Sequence, residues 1–405
     1  MTPQLRFPEF TILPETKRLG DVTKWASGGT PSKDNPLYWS GNIPWISAAT
    51  MHGNTFSTSK RMLTDMGVKN GSKIAKKGSI LLLVRGSMLF NTIPVGVAGV
   101  DVAFNQDVKS ITGTEIEHTY LYHFLKKSEH ALLSKVVGTG IGAGKLDTDE
   151  LQSTKLYLPQ TAEQQKIADF LTMVDDKITA LDKKVELLKQ YKKGVMQQIF
   201  SQQARFKDEN GQDYLEWREK RLGDMLASAT NGLSDNQNMQ QNGYRVTRIE
   251  TISENKINLN KVGYVHTDKN IQAYKLLKGD LLFSNINSPS QIGRIVYVDQ
   301  DYDLYHGMNL LRLRTNNENS ALYLYYLLAS SRYKQYFERI CNKAVNQASI
   351  NQTDLKSTLI YTPTPQEQQK IATFLTTLDN KITAEQSRLD ATKEWKKGLL
   401  QRMFI

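Results

Sequence analysis

Between Ile167 and Ile199 the apolar residues fall three or four apart: Ile167, Leu171, Val174, Ile178, Leu181, Val185, Leu188, Val195 and Ile199. Only Lys192 breaks the series. That spacing predicts a long helix with one continuous apolar stripe, the pattern of a coiled-coil seam. A second stretch repeats it more weakly, with Ile371, Leu375, Leu378, Ile382, Leu389, Leu399 and Met403, interrupted by Glu385, Thr392 and Lys396. Pro159 and Pro363 precede the two stretches, with Pro365 closer still, and Thr161 two residues before Glu163 marks a polar helix start. At 1.5 Å per residue each helix would reach about 57 Å. The expected seam comprises Leu171, Val174, Ile178, Leu181, Val185 and Leu188 on one helix and Leu375, Leu378, Ile382 and Leu389 on the other. An ordinary amphipathic core helix would explain either stretch alone; two of them, each following a domain, favour a paired rod.

The two stretches are copies. EQQKIA occurs at Glu163–Ala168 and again at Glu367–Ala372, 204 positions on, and about 20 of 38 positions agree from there without a gap. Further anchors lie 201 to 204 apart: TKRLGDV with EKRLGDM, KKGSILL with LKGDLLF, LYHFL with LYYLL, and LQSTKLYLP with LKSTLIYTP. That period is too long for a solenoid and marks a duplicated domain-plus-helix unit. The expected divisions are a globular half over 1–158, a helix over 159–202, a second half over 203–361 and a second helix over 362–405. Within the halves, GSILLLVRG and GRIVYVDQD read as strands and EHTYLYHFLKKSEHALLSKVV as helix. The alternation is too irregular for a parallel α/β sheet. GGTPSKDNPLYWSGNIPWISA has no equivalent in the second half.

Composition adds a partner class. The 405 residues allow about two to four domains, and 39% hydrophobic residues can fill their cores. The formal charge is +11, of which the two helices carry only +3, leaving +8 on the globular halves. That is the distribution expected if the halves meet a polyanion and the helices act as spacer. Cys341 is the only cysteine, which excludes an internal disulfide and a cysteine metal cluster. The opening MTPQLRFPEF lacks the apolar run of a signal peptide, and Ile80–Val84 is too short to span a bilayer. A cytoplasmic location is the expectation.

Catalytic patterns fail on inspection. GTGIGAGKL, Gly138–Leu146, has Thr139 and Leu146 where a phosphate loop needs glycine and a hydroxyl, and reads as a glycine loop before a strand. NIPW, Asn42–Trp45, departs from the Asn-Pro-Pro-aromatic motif of adenine methyltransferases at Ile43. His118, His123 and His130 do not share a zinc spacing and read as surface histidines. No nucleophile elbow is present. The chain is not expected to be a catalyst or to hold a metal.

A duplicated, basic chain with unlike globular halves and near-identical helices resembles the specificity subunit of Type I restriction-modification enzymes. Both EQQKIA…FL…D.KI segments, both KRLGD starts, GGTPSKDNPLYWSGNIPWI and KKGSILLLVRGS carry the resemblance, which covers essentially the whole chain. The second half lacks the TPS…YW…IPW pattern. The resemblance implies an α+β fold: two mixed α/β target recognition domains joined by two long helices. Those helices would pair as an antiparallel coiled coil with a pseudo-two-fold; the periodicity itself leaves the direction open. Each domain would read one half of a split double-stranded DNA sequence. Methyltransferase subunits, two by expectation, would dock on the helices and use S-adenosylmethionine, and motor-nuclease subunits would use ATP and magnesium, so this chain needs no cofactor and no membrane.

Candidate DNA contacts are Lys33, Lys60, Arg61, Arg85 and Lys145 in the first half and Arg245, Arg248, Asn285, Asn287 and Arg294 in the second. All lie in or beside loops with small polar neighbours, and Arg and Asn can bond guanine or adenine edges at two atoms. Three other readings are weighed: a subunit of a methyltransferase-only complex, a coiled-coil scaffold that binds only protein, and an enzyme in its own right, against which the missing motifs argue.

Overall fold

Leu19 and Leu222, from the paired KRLGD motifs, are both buried, and each donates its backbone N–H to a carbonyl at the far end of its own domain, Thr154 and Thr358. The strand before each pairs antiparallel with the strand that leads into a long helix: Glu15–Arg18 with Lys155–Leu158, and Arg218–Arg221 with Leu359–Thr362. Two pairs of repeated anchors are thus the two sides of one clasp, which explains why they recur together. The computed structural model describes residues 3–140, 142–238, 240–344 and 347–404. It divides into two compact units: residues 1–183 with 386–405, and residues 184–385. The ends of the chain, residues 1–2 and 405, and Ile141 of the glycine loop lie outside the described residues.

In the first unit a five-stranded sheet runs in the order Thr23–Ser27, Val108–Gly113, Ile80–Leu83, Val95–Ala98, Thr55–Phe56. The first four strands pair antiparallel and the last pairs parallel. Ile80–Leu83 is wholly buried at its centre, as an unbroken aliphatic run requires. In the second unit Leu226–Asn231, Leu311–Thr315, Leu281–Phe283 and Ile295–Tyr297 repeat that antiparallel order. The expectation of mixed structure holds. EHTYLYHFLKKSEHALLSKVV, read as helical, forms two helices, His118–Lys127 and Glu129–Leu133, and runs on into a short strand at Val137. The break falls where the Ser128 hydroxyl bonds back to the Phe124 carbonyl and the Glu129 carboxylate takes the Thr92 hydroxyl and the Ile93 N–H.

The long helices are Thr161–Phe200 and Pro365–Met403. The role of EQQKIA is visible in each unit. Glu163 is 1% exposed and Glu367 0%. Glu163 takes two bonds of 2.6 Å from the Arg6 guanidinium. Glu367 takes bonds from Arg205 at 3.4 and 3.0 Å and from the Trp217 indole at 3.2 Å. The buried Gln164 side chain accepts from the Glu117 N–H and donates to the Pro159 carbonyl. Gln368 does the same with the Ser320 N–H and the Pro363 carbonyl. Ile167, Ala168, Ile371 and Ala372 enter the two cores. Phe7 and Phe206, each following its arginine, meet Phe170 and Phe374 edge-on.

Each unit also contains parts of both long helices. In the first, Ile167, Leu171 and Val174 share a core with Leu399, Met403 and Phe404, and Lys396 bonds Asp175 at 2.5 and 2.7 Å. In the second, Ile199 and Phe200 share a core with Ile371, Leu375 and Leu378, and Lys192 bonds Asp379 at 2.6 Å. Lys184 bonds the buried Glu385 at 2.6 Å. The charges that interrupt the apolar series are therefore partnered. Lys192 and Lys396 stand 204 positions apart, as do Asp175 and Asp379.

His123 is a correction. It is not a surface residue but 1% exposed, because it holds the helix position that Tyr326 holds in the second unit. Tyr326 donates its hydroxyl to Asp379 at 2.7 Å, whereas both His123 ring nitrogens lack a partner. Burial, aided by Lys396, pushes His123 down to about 3, and burial pushes His306 in the second unit down to about 4. Among the described residues no group of His, Cys, Asp and Glu could hold a metal ion, and no helix is long and apolar enough to cross a membrane.

Glu367→Ala should strand Arg205 and the Trp217 N–H and cost the second unit about 3–5 kcal/mol in urea unfolding. Asp101→Ala, which removes the exposed partner of Lys76, should cost less than about 1 kcal/mol; equal costs would contradict the clamp. Both buried histidines are neutral in the fold and take up a proton on unfolding below their ordinary pKa of about 6.5. Their contribution is thus complete above pH about 6.5 and is lost as pH falls toward 4 and 3, by up to about 1.4 kcal/mol per pH unit for each. His123→Tyr should remove the histidine's share of the acid sensitivity of the first unit, leaving that of carboxylates such as Glu9 and Asp101, and should leave the second unit unchanged, as read by the pH dependence of each unfolding midpoint.

Candidate nucleic-acid interface

The motif without a counterpart, GGTPSKDNPLYWSGNIPWI, builds a platform on the first unit. Its strand Trp39–Ile46 pairs with Met62–Leu63 on one side and Val102–Phe104 on the other. Gly29 and Gly41 let backbones touch: a Cβ there would lie 2.3 Å from the Gly71 oxygen and 2.2 Å from the Leu63 oxygen. Trp39 and Trp45 meet edge-on at 5.5 Å, and their indole N–H groups bond the Ser32 and Gly29 carbonyls at 2.9 and 3.1 Å. Arg61 lies over both rings, 5.7 and 5.9 Å from their centroids. A guanidinium held over aromatic faces keeps its donor edge free and loses little side-chain freedom on binding.

Lys33, Lys60 and Arg61 line one cleft of about 1010 Å³, with Thr30, Asn105 and Gln106 supplying polar atoms. All three cations are exposed. Among the described residues none lies within 4.0 Å of a carboxylate, so their charge faces solvent. The Asn105 Oδ1 is buried without a partner. Arg85 and Lys145 stand directly opposite each other on a separate three-stranded sheet, Val137–Gly138, Gly144–Lys145, Arg85–Gly86. Both are exposed. A Cβ on Gly86 would come 3.8 Å from Ala48 of the cleft wall, so this sheet adjoins the cleft. The glycine loop expected before a strand is the turn of this hairpin.

The second unit places its candidates differently. Arg245 is paired with Asp303 at 3.2 Å and Arg248 with Glu250 at 3.2 Å. Arg294 is held by the Ile252 carbonyl and the Gln291 side chain. These three are engaged by the protein. Asn285 is buried with an unpartnered Oδ1, while Asn287 donates to the Ser284 hydroxyl at 2.9 Å. Asn287 sits on a sheet equivalent to that of Arg85: Ile286–Asn287, Gln347–Ser349, Asn342–Ala344. The exposed Asn342, Lys343 and Gln347 of this sheet were missed. Aligning LQSTKLYLP with LKSTLIYTP and reading backward would have found them. Trp39 and Trp45, as supports for Arg61, were also missed; the only signal was two tryptophans six residues apart.

Both units thus carry the same small sheet at the same place on the same frame. It is cationic in the first and amide-rich in the second, and the tryptophan platform belongs to the first unit alone. Arginine and amide side chains are the groups suited to guanine and adenine edges respectively.

Comparison with known proteins gives the family. Residues 14–190 and 214–393 each match the family described as Type I restriction modification DNA specificity domain. The chain is 41% identical over 214 residues to a putative type I restriction enzyme MjaX specificity subunit of Methanocaldococcus jannaschii, covering 52% of this chain and 50% of that protein. It therefore matches about half the length of that relative. It is 24% identical over 413 residues to the type I restriction enzyme MjaVIII specificity subunit of the same organism, covering 99% of this chain and 93% of the other. The solved S subunit of a Type-I restriction-modification system from M. genitalium shares the fold, with a TM-score of 0.61 at 16% identity over 100% of this chain and 99% of that one. With both of its repeated halves matched, the chain belongs to the family of Type I restriction modification DNA specificity domains.

Proposed function

We propose that this chain is the DNA sequence-recognition subunit of a Type I restriction-modification complex. Residues 1–158 and 203–361 are its target recognition domains, each reading one half of a split double-stranded target. Segments 159–202 and 362–405 are spacer helices, paired as an antiparallel coiled coil that sets the gap and related by a pseudo-two-fold. The observation that carries this reading is the repeated frame around unlike surfaces. Lys192 with Asp379 and Lys396 with Asp175 are one contact made twice with the partners exchanged, which is the mark of a self-complementary pairing. The pairs Lys184–Glu385 and Lys192–Asp379 advance in opposite senses along the two helices, which supports the antiparallel direction.

On the first domain Arg61, Lys33 and Lys60 meet the DNA in the tryptophan cleft, and Arg85 and Lys145 meet it from the adjoining hairpin. On the second, Asn287 with Asn342, Lys343 and Gln347 takes the equivalent position. The chain itself is non-catalytic and cytoplasmic. Two methyltransferase subunits dock on the repeated helices and bring S-adenosylmethionine, and motor-nuclease subunits bring ATP and magnesium.

Mapping methylated positions after co-expression with the methyltransferase subunits tests this directly: a split sequence is expected, and methylation without a two-part sequence would remove the reading. Four residues inserted into each long helix add about one turn, roughly 6 Å. The gap between half-sites should lengthen by about one to two base pairs at 3.4 Å each; intact binding with an unchanged gap would rule out the ruler. Arg61→Ala should weaken binding of the assembled complex by about 1–3 kcal/mol. The new tolerance of mismatches should be confined to one half-site, and undiminished discrimination would remove Arg61 from the readout.

A further inference from the structure

A cavity of about 340 Å³ lies in the second unit between the last turns of the Thr161–Phe200 helix and the first turn of the helix Ser331–Ile340. Lys189 and Lys193 line it from the long helix and Arg332 from the short one. Among the described residues none of the three lies within 4.0 Å of a carboxylate. Lys192 also lines the cavity, but Asp379 holds its charge. Met196 and Phe200 supply apolar wall.

The short helix brings its own positive end. Ten residues long, it presents its first N–H groups and the positive end of its dipole at this wall. Ser330 holds the cap position, yet its side chain caps nothing. Elsewhere in the same unit Ser320 and Asn351 accept from Tyr323 and Asp354 N–H groups as caps do. The Ser330 residue is 7% exposed and lines the cavity, and its hydroxyl is buried without a hydrogen-bond partner. A buried hydroxyl left unbonded at an uncapped helix start, ringed by unpaired cations, is a donor set that lacks its acceptor.

We propose that this cavity seats one phosphoryl oxyanion. The Ser330 hydroxyl and the helix N–H groups donate to its oxygens, Arg332 adds a two-pronged contact, and Lys189 and Lys193 neutralise its charge. The first unit cannot do this. By the LYHFL and LYYLL alignment Glu129 stands where Arg332 does, and Lys127 where Ser330 does. Glu129 accepts from Thr92 and Ile93, so an anion there would face a carboxylate. The seat therefore belongs to the second unit and not to the repeated frame. The phosphoryl group comes either from the DNA backbone, a case that rests on the DNA reading above, or from a free phosphate compound.

The test uses the full chain and two variants, Ser330→Ala and the double variant Arg332→Gln with Lys193→Gln. Inorganic phosphate is titrated against chloride by ³¹P relaxation, and the assembled complex is titrated with its cognate duplex over a salt series. Because Ser330 caps nothing through its side chain, Ser330→Ala should leave the unfolding midpoint unchanged. A tenfold or greater loss of phosphate affinity in both variants with an unaltered salt slope identifies a free phosphate ligand. A salt slope shallower by about one unit, with sequence preference retained, identifies a backbone phosphate. Unchanged phosphate binding together with an unchanged slope overturns the seat. Absence of sequence-specific duplex binding by the unaltered complex would instead remove the DNA reading and leave the phosphate titration standing.

Discussion

A carboxylate buried at the start of each long helix governs how the rest is assembled. Glu163 and Glu367 are nearly inaccessible, and each is satisfied by an arginine from a segment outside its own domain sheet. An ionised carboxylate without those donors would cost several kcal/mol in such a position. The helix can therefore start only where the arginine, the glutamine anchor and the domain edge coincide. The repeated hexapeptide is the chemical statement of this one requirement.

Above that frame the two units are free to differ. Their central strands run in the same order and their closing clasps are superimposable in sequence, whereas the exposed groups on the small sheets and loops are unrelated. Frame positions are buried and each has several partners, so few residue types fit. Surface positions touch solvent or ligand and carry little of the folding energy. A chain built this way can change the exposed groups of one unit without disturbing the frame of the other.

How much of this was legible in the sequence follows from the same division. The long helices were readable because burial repeats at helical period along each, and Leu171, Val174, Leu181, Val185, Leu375, Leu378 and Leu389 are buried while Ile178, Leu188 and Ile382 are half-buried. The interruptions at Lys192 and Lys396 were visible but not their answer, because the answering aspartates lie about 190 to 220 positions away. His123 was misread because one helix turn gives no sign of which face is covered until its twin, Tyr326, is aligned to it. The candidate contacts were chosen by residue type and loop position. That criterion cannot distinguish the unpaired Arg61 from Arg245, whose charge is already held by Asp303.

The first unit is built from both ends of the sequence: Leu5 donates its N–H to the Arg402 carbonyl, and Leu399, Met403 and Phe404 sit in the core with Ile167 and Leu171. The second unit is drawn from one unbroken stretch, 184–385. During synthesis on the ribosome the second unit can close as soon as its own residues have emerged. The first must wait, with part of its core uncovered, until residues 386–404 arrive. The domain translated first is thus the last to be completed, and while it waits its open apolar face is the region most exposed to capture by chaperones or by another nascent copy.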